Sequence, residues 1–538
     1  MTTLHPRIFI KCVDGNLDLK LPKLDSVLKT SARDPRNVLL VEQFLGSWLT
    51  LLNDSPLENS GRTRRDVRNF FNYVTTHDLV TVLKRYSDLA DKLMRSLHIY
   101  GHSHQTGDWV DGFSDTPLFR EYHEFYAHGD PNLLQWILSF LLFGKKMRIE
   151  DPETEVIAFR EWESVEDRLG ELTIQPDIIT GLLRCVMFEL LGPFVLTPLV
   201  PKFGPGKVAE KGVRNIDDKF DNLSRDPIVN ELIDLTSLGS DEKEDYLRFI
   251  CLNEVKDRVK RSVHNGCYAS RLKFVPKDIT KSRSICMEPN ILMYVQQSIL
   301  SDFVQCFRDG HVGKYVDLSD QTLNQQAAKY GSWSGDLDTI DLSAASDSVS
   351  WDLIDAIMPD HVKKVLELTR SKYTALPRGG YREMKKFAPM GSALCFPVQC
   401  SIFLGIAILS GIVHHAERLG IQLTKIRTGW TSQWFSDFLS HRFVDHGFIH
   451  PRSGAYQKPR VYGDDICIDS SLTHTLITLL TRFGFVTNVS KCFVGSQAIR
   501  ESCGKYYYKS HDVTPLRFTL GFRHSLTNAR AVASRVSF

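Results

Sequence analysis

No Cys-x-x-Cys pair occurs in this chain, and its 11 cysteines, scattered from Cys12 to Cys503, are odd in number. A disulfide scaffold and a structural zinc site are therefore poorly supported, and a reducing cytosol is the expected setting. The N-terminus, Met1-Thr2-Thr3-Leu4-His5-Pro6, lacks the basic-then-apolar pattern of a signal peptide. One long apolar stretch, Phe396 to Val413, contains Pro397, Gln399 and Ser401 and has no flanking anchors. It predicts a buried core helix rather than a membrane span. No internal repeat or low-complexity tract is present, and 42% hydrophobic with 24% charged residues excludes wholesale disorder. Nor is there an excess of one sign, since the net charge of +2 announces no nucleic-acid binder by itself.

What is present is uneven. From Lys256 to Arg283 nine Lys/Arg stand against two acids, Asp257 and Asp278, and a shorter basic run comprises Lys202, Lys207, Lys211 and Arg214. A run of charge is often only a solvated face. In Arg271-Leu272-Lys273-Phe274-Val275-Pro276-Lys277, however, basic and apolar residues alternate. That pattern predicts a strand and loop presenting positive charge to an anion.

At 538 residues the chain exceeds one hydrophobic core, so two or three subdomains are expected. The first 195 or so residues read as mainly helical, for example over 131–146, and carry no catalytic signature. Phe203-Gly204-Pro205-Gly206-Lys207 predicts a loop, as does the charged region 215–226. Beyond Phe274 short strands and turns mix with predicted helices at 290–307, 352–373 and 397–419. This irregular order predicts an α+β architecture.

Arg460-Val461-Tyr462-Gly463-Asp464-Asp465-Ile466-Cys467-Ile468-Asp469 places Gly-Asp-Asp between β-branched and aromatic residues, which predicts a tight hairpin. Alone, such a turn is an ordinary surface feature. Asp338-Thr339-Ile340-Asp341-Leu342-Ser343-Ala344-Ala345-Ser346-Asp347-Ser348 changes the reading. It begins as a strand and breaks at small residues, leaving Asp341 at the strand end, where an unneutralised acid is costly. Magnesium shared by Asp341, Asp464 and Asp465 would neutralise all three, because hard cations take carboxylate oxygens. Two such ions could activate a 3′-hydroxyl and stabilise a leaving pyrophosphate.

Three further segments fit that chemistry. Lys277, Lys281 and Arg283 are candidate cations for an incoming triphosphate, whose charge concentrates on the leaving group. Gly391-Ser392, in Pro389-Met390-Gly391-Ser392-Ala393-Leu394, permits close backbone approach, and its hydroxyl can read a ribose, although a helix N-cap has the same look. Lys491, after Phe483-Gly484-Phe485-Val486-Thr487-Asn488, is a candidate general acid for pyrophosphate, although most lysines at such positions are merely solvated.

In this order the motifs resemble the replicase of levivirus-like positive-strand RNA bacteriophages. Arg500-Glu501-Ser502-Cys503-Gly504-Lys505-Tyr506-Tyr507 and Asp317-Leu318-Ser319-Asp320-Gln321-Thr322-Leu323-Asn324-Gln325 carry the same resemblance. It is firm from about Phe274 to Leu516. Narnavirus-like and ourmiavirus-like polymerases are sister groups, and Met390 to Pro397 resembles theirs too.

The resemblance implies a right-hand polymerase of fingers, palm and thumb, with an antiparallel palm sheet. Residues 1–195 would be a helical part of the fingers, 196–335 the fingers with the basic loop, 336–499 the palm, and 500–538 the palm–thumb junction. It implies RNA-directed RNA synthesis with two Mg2+, replaceable by Mn2+, held by Asp341, Asp464 and Asp465. Asp347 would lie near the ribose 2′-hydroxyl. Template and product RNA, nucleoside triphosphates and host elongation factors Tu and Ts are the implied partners, in the host cytoplasm. Reverse transcriptase shares the palm acids, and an inactive RNA-binding protein would keep the fold without turnover.

Two departures stand out. The chain ends 73 residues after Asp465, so a truncated or reduced thumb is expected. The link between Gly391 and Gly463 is long, and 429–460, with His441, His446 and His450, is expected to be an inserted surface loop rather than a metal site.

Overall fold

A computed structural model describes residues 7–20, 36–57, 61–100, 112–147, 152–200, 202–223, 226–249, 260–447, 454–495 and 498–518. The N-terminal part opens with an antiparallel hairpin, Arg7–Cys12 with Gly15–Lys20, which helical periodicity did not anticipate. Its residues alternate exposed and buried, the period of a strand with one face on a core. Five helices follow: Arg36–Asn53, Arg64–Thr76, Leu79–Tyr100, Phe119–His128 and Pro131–Leu142. Thr63 and Asp66 form a capping box at the second of these, and Asp130 with Pro131 starts the last. Trp48, Phe70, Tyr86 and Phe140 meet ring to ring in the core, and the Trp48 indole donates to the Phe140 carbonyl at 3.0 Å. Ile279, Phe493, Ile499, Tyr508 and Phe518 join the same core from far along the chain.

A second, larger core surrounds the helix Cys395–Leu419. This is the only helix among the described residues that is long and apolar enough to cross a membrane, and 94% of its most apolar window is buried in protein. Glycines on it admit close neighbours. A Cβ at Gly405 would lie 2.7 Å from Met187 Sδ on helix Ile178–Leu191, and one at Gly411 would lie 2.6 Å from the Phe443 ring. The helix expected at 397–419 is thus present and buried.

Three sheets matter for the site. Arg460–Tyr462, Asp465–Asp469 and Leu337–Ile340 form an antiparallel sheet with Asp465–Asp469 in the middle. Cys267–Pro276 and Ser282–Met287 form a long hairpin, extended through Tyr373–Ala375 and Tyr381–Glu383. Ile499–Ser502, Lys505–Tyr508 and His511–Asp512 form an antiparallel meander. With the helices, this is the α+β architecture expected.

Three local expectations need correction. The helix expected at 352–373 is two helices, Trp351–Ile357 and Asp360–Leu368, followed by the strand Tyr373–Ala375. Pro359 sits at the break, and a residue before proline is pushed out of the helical region; Met358 has ψ 147°. Region 215–226 is not all loop, because Asn215 and Asp218 form a capping box that starts a short helix, Ile216–Asp221. The insertion at 429–460 is no mere surface loop. It folds as the helix Ser432–Arg442, and the strand Phe443–Val444 pairs in parallel with Tyr456–Gln457. Phe435, Phe438, Leu439, Phe443 and Tyr456 are buried in the larger core. Within it the His441 ring meets the Asp437 carbonyl at 2.7 Å and His446 stacks on Tyr330. Lys256 and Arg258, His450, and the segment expected as a reduced thumb beyond 518 lie outside the described residues.

Candidate active site

The Gly463-Asp464 pair makes a two-residue turn between Tyr462 and Asp465, which are opposed across the hairpin. Gly463 has φ 63°, the left-handed value that a primed hairpin turn requires. A Cβ there would also lie 2.9 Å from the Phe396 ring. The Gly463 amide donates to Cys400 Sγ at 3.2 Å, seating the turn on the first turns of the central helix. From behind, the Asn324 side chain donates to the Asp465 carbonyl at 3.1 Å.

Asp341 follows the last residue of Leu337–Ile340, and Ile340 lies opposite Ile466. The register therefore brings Asp341 beside the hairpin acids at one end of the sheet. Asp464 is exposed, Asp465 is half-buried and Asp341 is buried. Burial raises the Asp341 pKa, as does Asp464, while Lys491 opposes the rise. Burial also raises Asp465 well above the usual carboxylate range, with Glu501, Asp464 and Asp341 adding to it.

Each of the two more buried acids is turned to a protein donor. Asp341 accepts from the Asn488 side chain at 2.7 Å and lies 3.5 Å from Lys491 Nζ. Asp465 accepts from the Cys503 amide at 3.2 Å. Among the described residues no three His, Cys, Asp or Glu side chains converge on one ligating point. The donor set nevertheless fits a hard divalent cation: three carboxylates share one sheet end, and two of them carry raised pKa values that such an ion would relieve. Lys491 resists desolvation, because Glu501, Asp341, Tyr506 and Asp465 together push its pKa up, so it stays protonated.

The basic segment is the tip of the long hairpin. Val275 pairs with Arg283 and Pro276 with Ser282, leaving 277–281 as the turn. Asp278 closes that turn, accepting from the Thr280 and Lys281 amides at 2.9 and 3.1 Å. Ile279 is buried in the N-terminal core, its amide donating to the Lys145 carbonyl at 3.1 Å. The tip is thereby fixed, with Lys277, Lys281 and Arg283 exposed. Partial desolvation together with Arg283 and Lys491 lowers the Lys277 pKa, while Asp278 and Asp464 counteract this. Lys277 thus shares an electrostatic environment with Asp464 and Lys491.

Gly391 has φ 129°, and its backbone passes so close to strand Ser282–Met287 that a Cβ would lie 2.0 Å from the Cys286 carbonyl oxygen. Ser392 is buried, and its hydroxyl accepts from the Leu394 amide at 3.3 Å within the turn; it does not cap the helix Cys395–Leu419, whose N-cap is Leu394. Asp347, in the short turn Ser346–Ser348, accepts from Ser284 Oγ at 3.1 Å. It therefore sits beside the neighbour of Arg283 on the basic hairpin.

Sequence reasoning gives no individual role to Asn488, Glu501, Lys386 or Glu166, although the resemblance implies that Arg500 to Tyr507 forms primer-grip-like strands between palm and thumb. Asn488 stands three residues before Lys491 and Glu501 lies in a recognised stretch, so both were within reach. Lys386 and Glu166 carried no local signal.

The α+β fold thus brings one acid at a strand end, one in the facing hairpin turn and one at the start of the next strand together beside a fixed basic hairpin. Sequence comparison supplies a kinship. Residues 246–421 and 455–527 match the family described as RNA replicase, beta-chain, and the match passes over most of the insertion. The chain is 32% identical over 241 residues to the RNA-directed RNA polymerase beta chain of Enterobacteria phage fr, covering 45% of this chain and 36% of that one. It is 32% identical over 244 residues to the corresponding subunit of Escherichia virus Qbeta, covering 45% and 34%. For the beta chain of Escherichia phage MS2 the figures are 32% over 253 residues, 47% and 37%. These matches span about a third of each relative's length. Over the matched residues the chain is levivirus-replicase-like. Among solved structures, the RNA-dependent RNA polymerase of a human picorbirnavirus aligns with TM-score 0.43 at 12% identity, over 75% of this chain and 70% of that one. The polymerase of BmCPV aligns at 0.41 and 9%, over 88% and 44%.

Proposed function

We propose that the chain is an RNA-directed RNA polymerase that extends an RNA 3′-hydroxyl with ribonucleoside triphosphates in replicating a positive-strand RNA genome. The observation that carries this reading is the placement of Asp341, Asp464 and Asp465 at one end of the sheet. These three residues would hold two Mg2+ ions, which supply Lewis-acid activation of the 3′-hydroxyl and charge stabilisation at the leaving group. Mn2+ has the same ligand preference and can replace them.

The protein's own groups do the rest. Lys277, Lys281 and Arg283 bind the triphosphate on a turn that needs no reorganisation, because Asp278 and Ile279 already fix it. Asp347 accepts a hydrogen bond from the ribose 2′-hydroxyl, and the Gly391-Ser392 turn shapes the sugar site next to it. Lys491, kept protonated, donates its proton to the departing pyrophosphate.

In this reading residues 1–195 and 196–335 build the fingers, 336–499 the palm, and the segment from 500 the junction toward the thumb. RNA template and product are its macromolecular substrates, and elongation factors Tu and Ts its host partners, in the host cytoplasm. Extension of a self-priming RNA tests the reading. Product should form with ribonucleotides and magnesium, and disappear with EDTA. Extension by deoxynucleotides in preference would identify a reverse transcriptase. Salt-sensitive RNA binding without any extension would identify a non-catalytic RNA-binding protein.

A further inference from the structure

Helix Pro152–Glu171 lies in the region without catalytic motifs, yet it packs on strand Ser282–Met287 and on the turn holding Asp347. Between them is Lys386, whose side chain is fully buried. Its Nζ lies 3.1 Å from Glu166 Oε1 and 3.2 Å from Asp347 Oδ1. It also sits over the Trp162 ring at 4.8 Å from the centroid. Glu166 is itself fixed, accepting from the Lys385 amide at 2.8 Å through its other oxygen. Arg168 on the same helix donates to Ser348 Oγ at 2.9 Å, holding the residue after Asp347.

The exposures assign the parts. The Glu166 and Lys386 side chains are 0% exposed, so neither can touch a nucleotide. Asp347 retains 13%, the one member of the trio with any exposure. Its two oxygens are held differently, Oδ1 against Lys386 and Oδ2 by Ser284. Contacts at both oxygens fix the orientation of the carboxylate, with Oδ1 itself buried. A buried ammonium is costly unless paired, and an apolar side chain could fill the same space. A paired lysine here therefore does something that packing alone does not need.

We propose that Lys386, anchored by Glu166, is a positioning residue that locks the Asp347 carboxylate in the orientation from which it reads the ribose 2′-hydroxyl. This rests on the polymerase reading above. Burial works against the charge on Lys386, but Asp347 and Glu166 outweigh it and raise its pKa, so the cation persists.

The test is single-nucleotide incorporation by the full chain on a self-priming RNA, comparing ATP with 2′-dATP. The readout is the ratio of their kcat/KM values. In Lys386→Met the ratio should fall at least tenfold, through a higher KM for ATP with 2′-dATP little changed. Lys386→Arg, which restores a cation, should recover part of it. Glu166→Gln keeps the acceptor for the Lys385 amide and should lower the ratio several-fold; it carries the test if Lys386→Met does not fold. In an Asp347→Asn background, Lys386→Met should change the ratio no further. An unchanged ratio in folded Lys386→Met or Glu166→Gln, even with slower turnover, would overturn the proposal, as would full additivity with Asp347→Asn. If the unaltered chain incorporates neither nucleotide, the polymerase reading itself fails and takes the proposal with it.

Discussion

Replacing Gly391 by alanine isolates the contact that ties the Gly-Ser turn to the basic hairpin. At φ 129° the backbone is strained for any residue with a side chain, and the new Cβ would lie 2.0 Å from the Cys286 carbonyl oxygen and 2.9 Å from its carbon. Neither is the end of a flexible side chain, so the turn or the strand must shift. That shift would break the hydrogen bond from the Cys286 amide to the Met390 carbonyl, 2.9 Å long. Gly379 supplies the control, with φ 97° and nothing within 4 Å of a built Cβ. Gly379→Ala should therefore cost backbone strain alone, about 1–2 kcal/mol. Gly391→Ala adds overpacking of about 1–3 kcal/mol, for a total of about 2–5 kcal/mol. Urea unfolding midpoints of the three proteins measure the difference. The nucleotide KM should rise in Gly391→Ala only, because the displaced strand also carries Ser284, which holds Asp347. Equal destabilisation by the two substitutions, or a neutral Gly391→Ala, would refute the reasoning.

Burial lifts the Glu288 carboxyl from 4.5 to about 7. The folded state then binds more protons between those values, so its contribution to stability falls as pH rises through that window; unfolding at pH 5 and pH 8 should show the wild type losing about 2–3 kcal/mol relative to Glu288→Gln. Arg500 is fully buried, pairs with Asp338 at 3.3 Å and donates to the Leu337 carbonyl at 2.7 Å. Arg500→Met leaves a buried acid without its cation and should cost about 3–5 kcal/mol in denaturant unfolding. Phe435 in the insertion is fully buried, so Phe435→Ala should cost about 3–5 kcal/mol; a loss below about 1 kcal/mol would return the insertion to the status of a surface loop.

The hairpin that carries Asp464 and Asp465 was legible because everything that makes it is local. Gly463 supplies the positive φ, flanking β-branched and aromatic residues supply the strands, and the two acids are adjacent. The basic hairpin was legible for the same reason, through alternating basic and apolar residues. The break at Pro359 is marked in the sequence by the proline itself but masked by apolar periodicity that continues on both sides of it. The buried part of the insertion is not legible in the sequence, because Phe435, Phe438 and Phe443 show no clean helical stripe until the central helix they cover is placed beside them. Least legible was the support beneath Asp347. Glu166 and Lys385 are 219 residues apart, and nothing near either marks it as part of a site. Burial and pairing, properties of the folded chain alone, reveal them.

The central claim is that the acids of the Gly463-Asp464-Asp465 turn serve catalysis rather than folding. Asp464 is exposed and no pair or hydrogen bond of its carboxylate stabilises the turn among the described residues, while its charge adds to the repulsion felt by Asp341 and Asp465, so Asp464→Asn should leave the RNA affinity unchanged and should not lower the unfolding midpoint. Magnesium-dependent extension of a self-priming RNA should fall on the order of a thousandfold in that variant, while the unaltered chain makes full-length product. Comparable extension by both proteins would contradict the account.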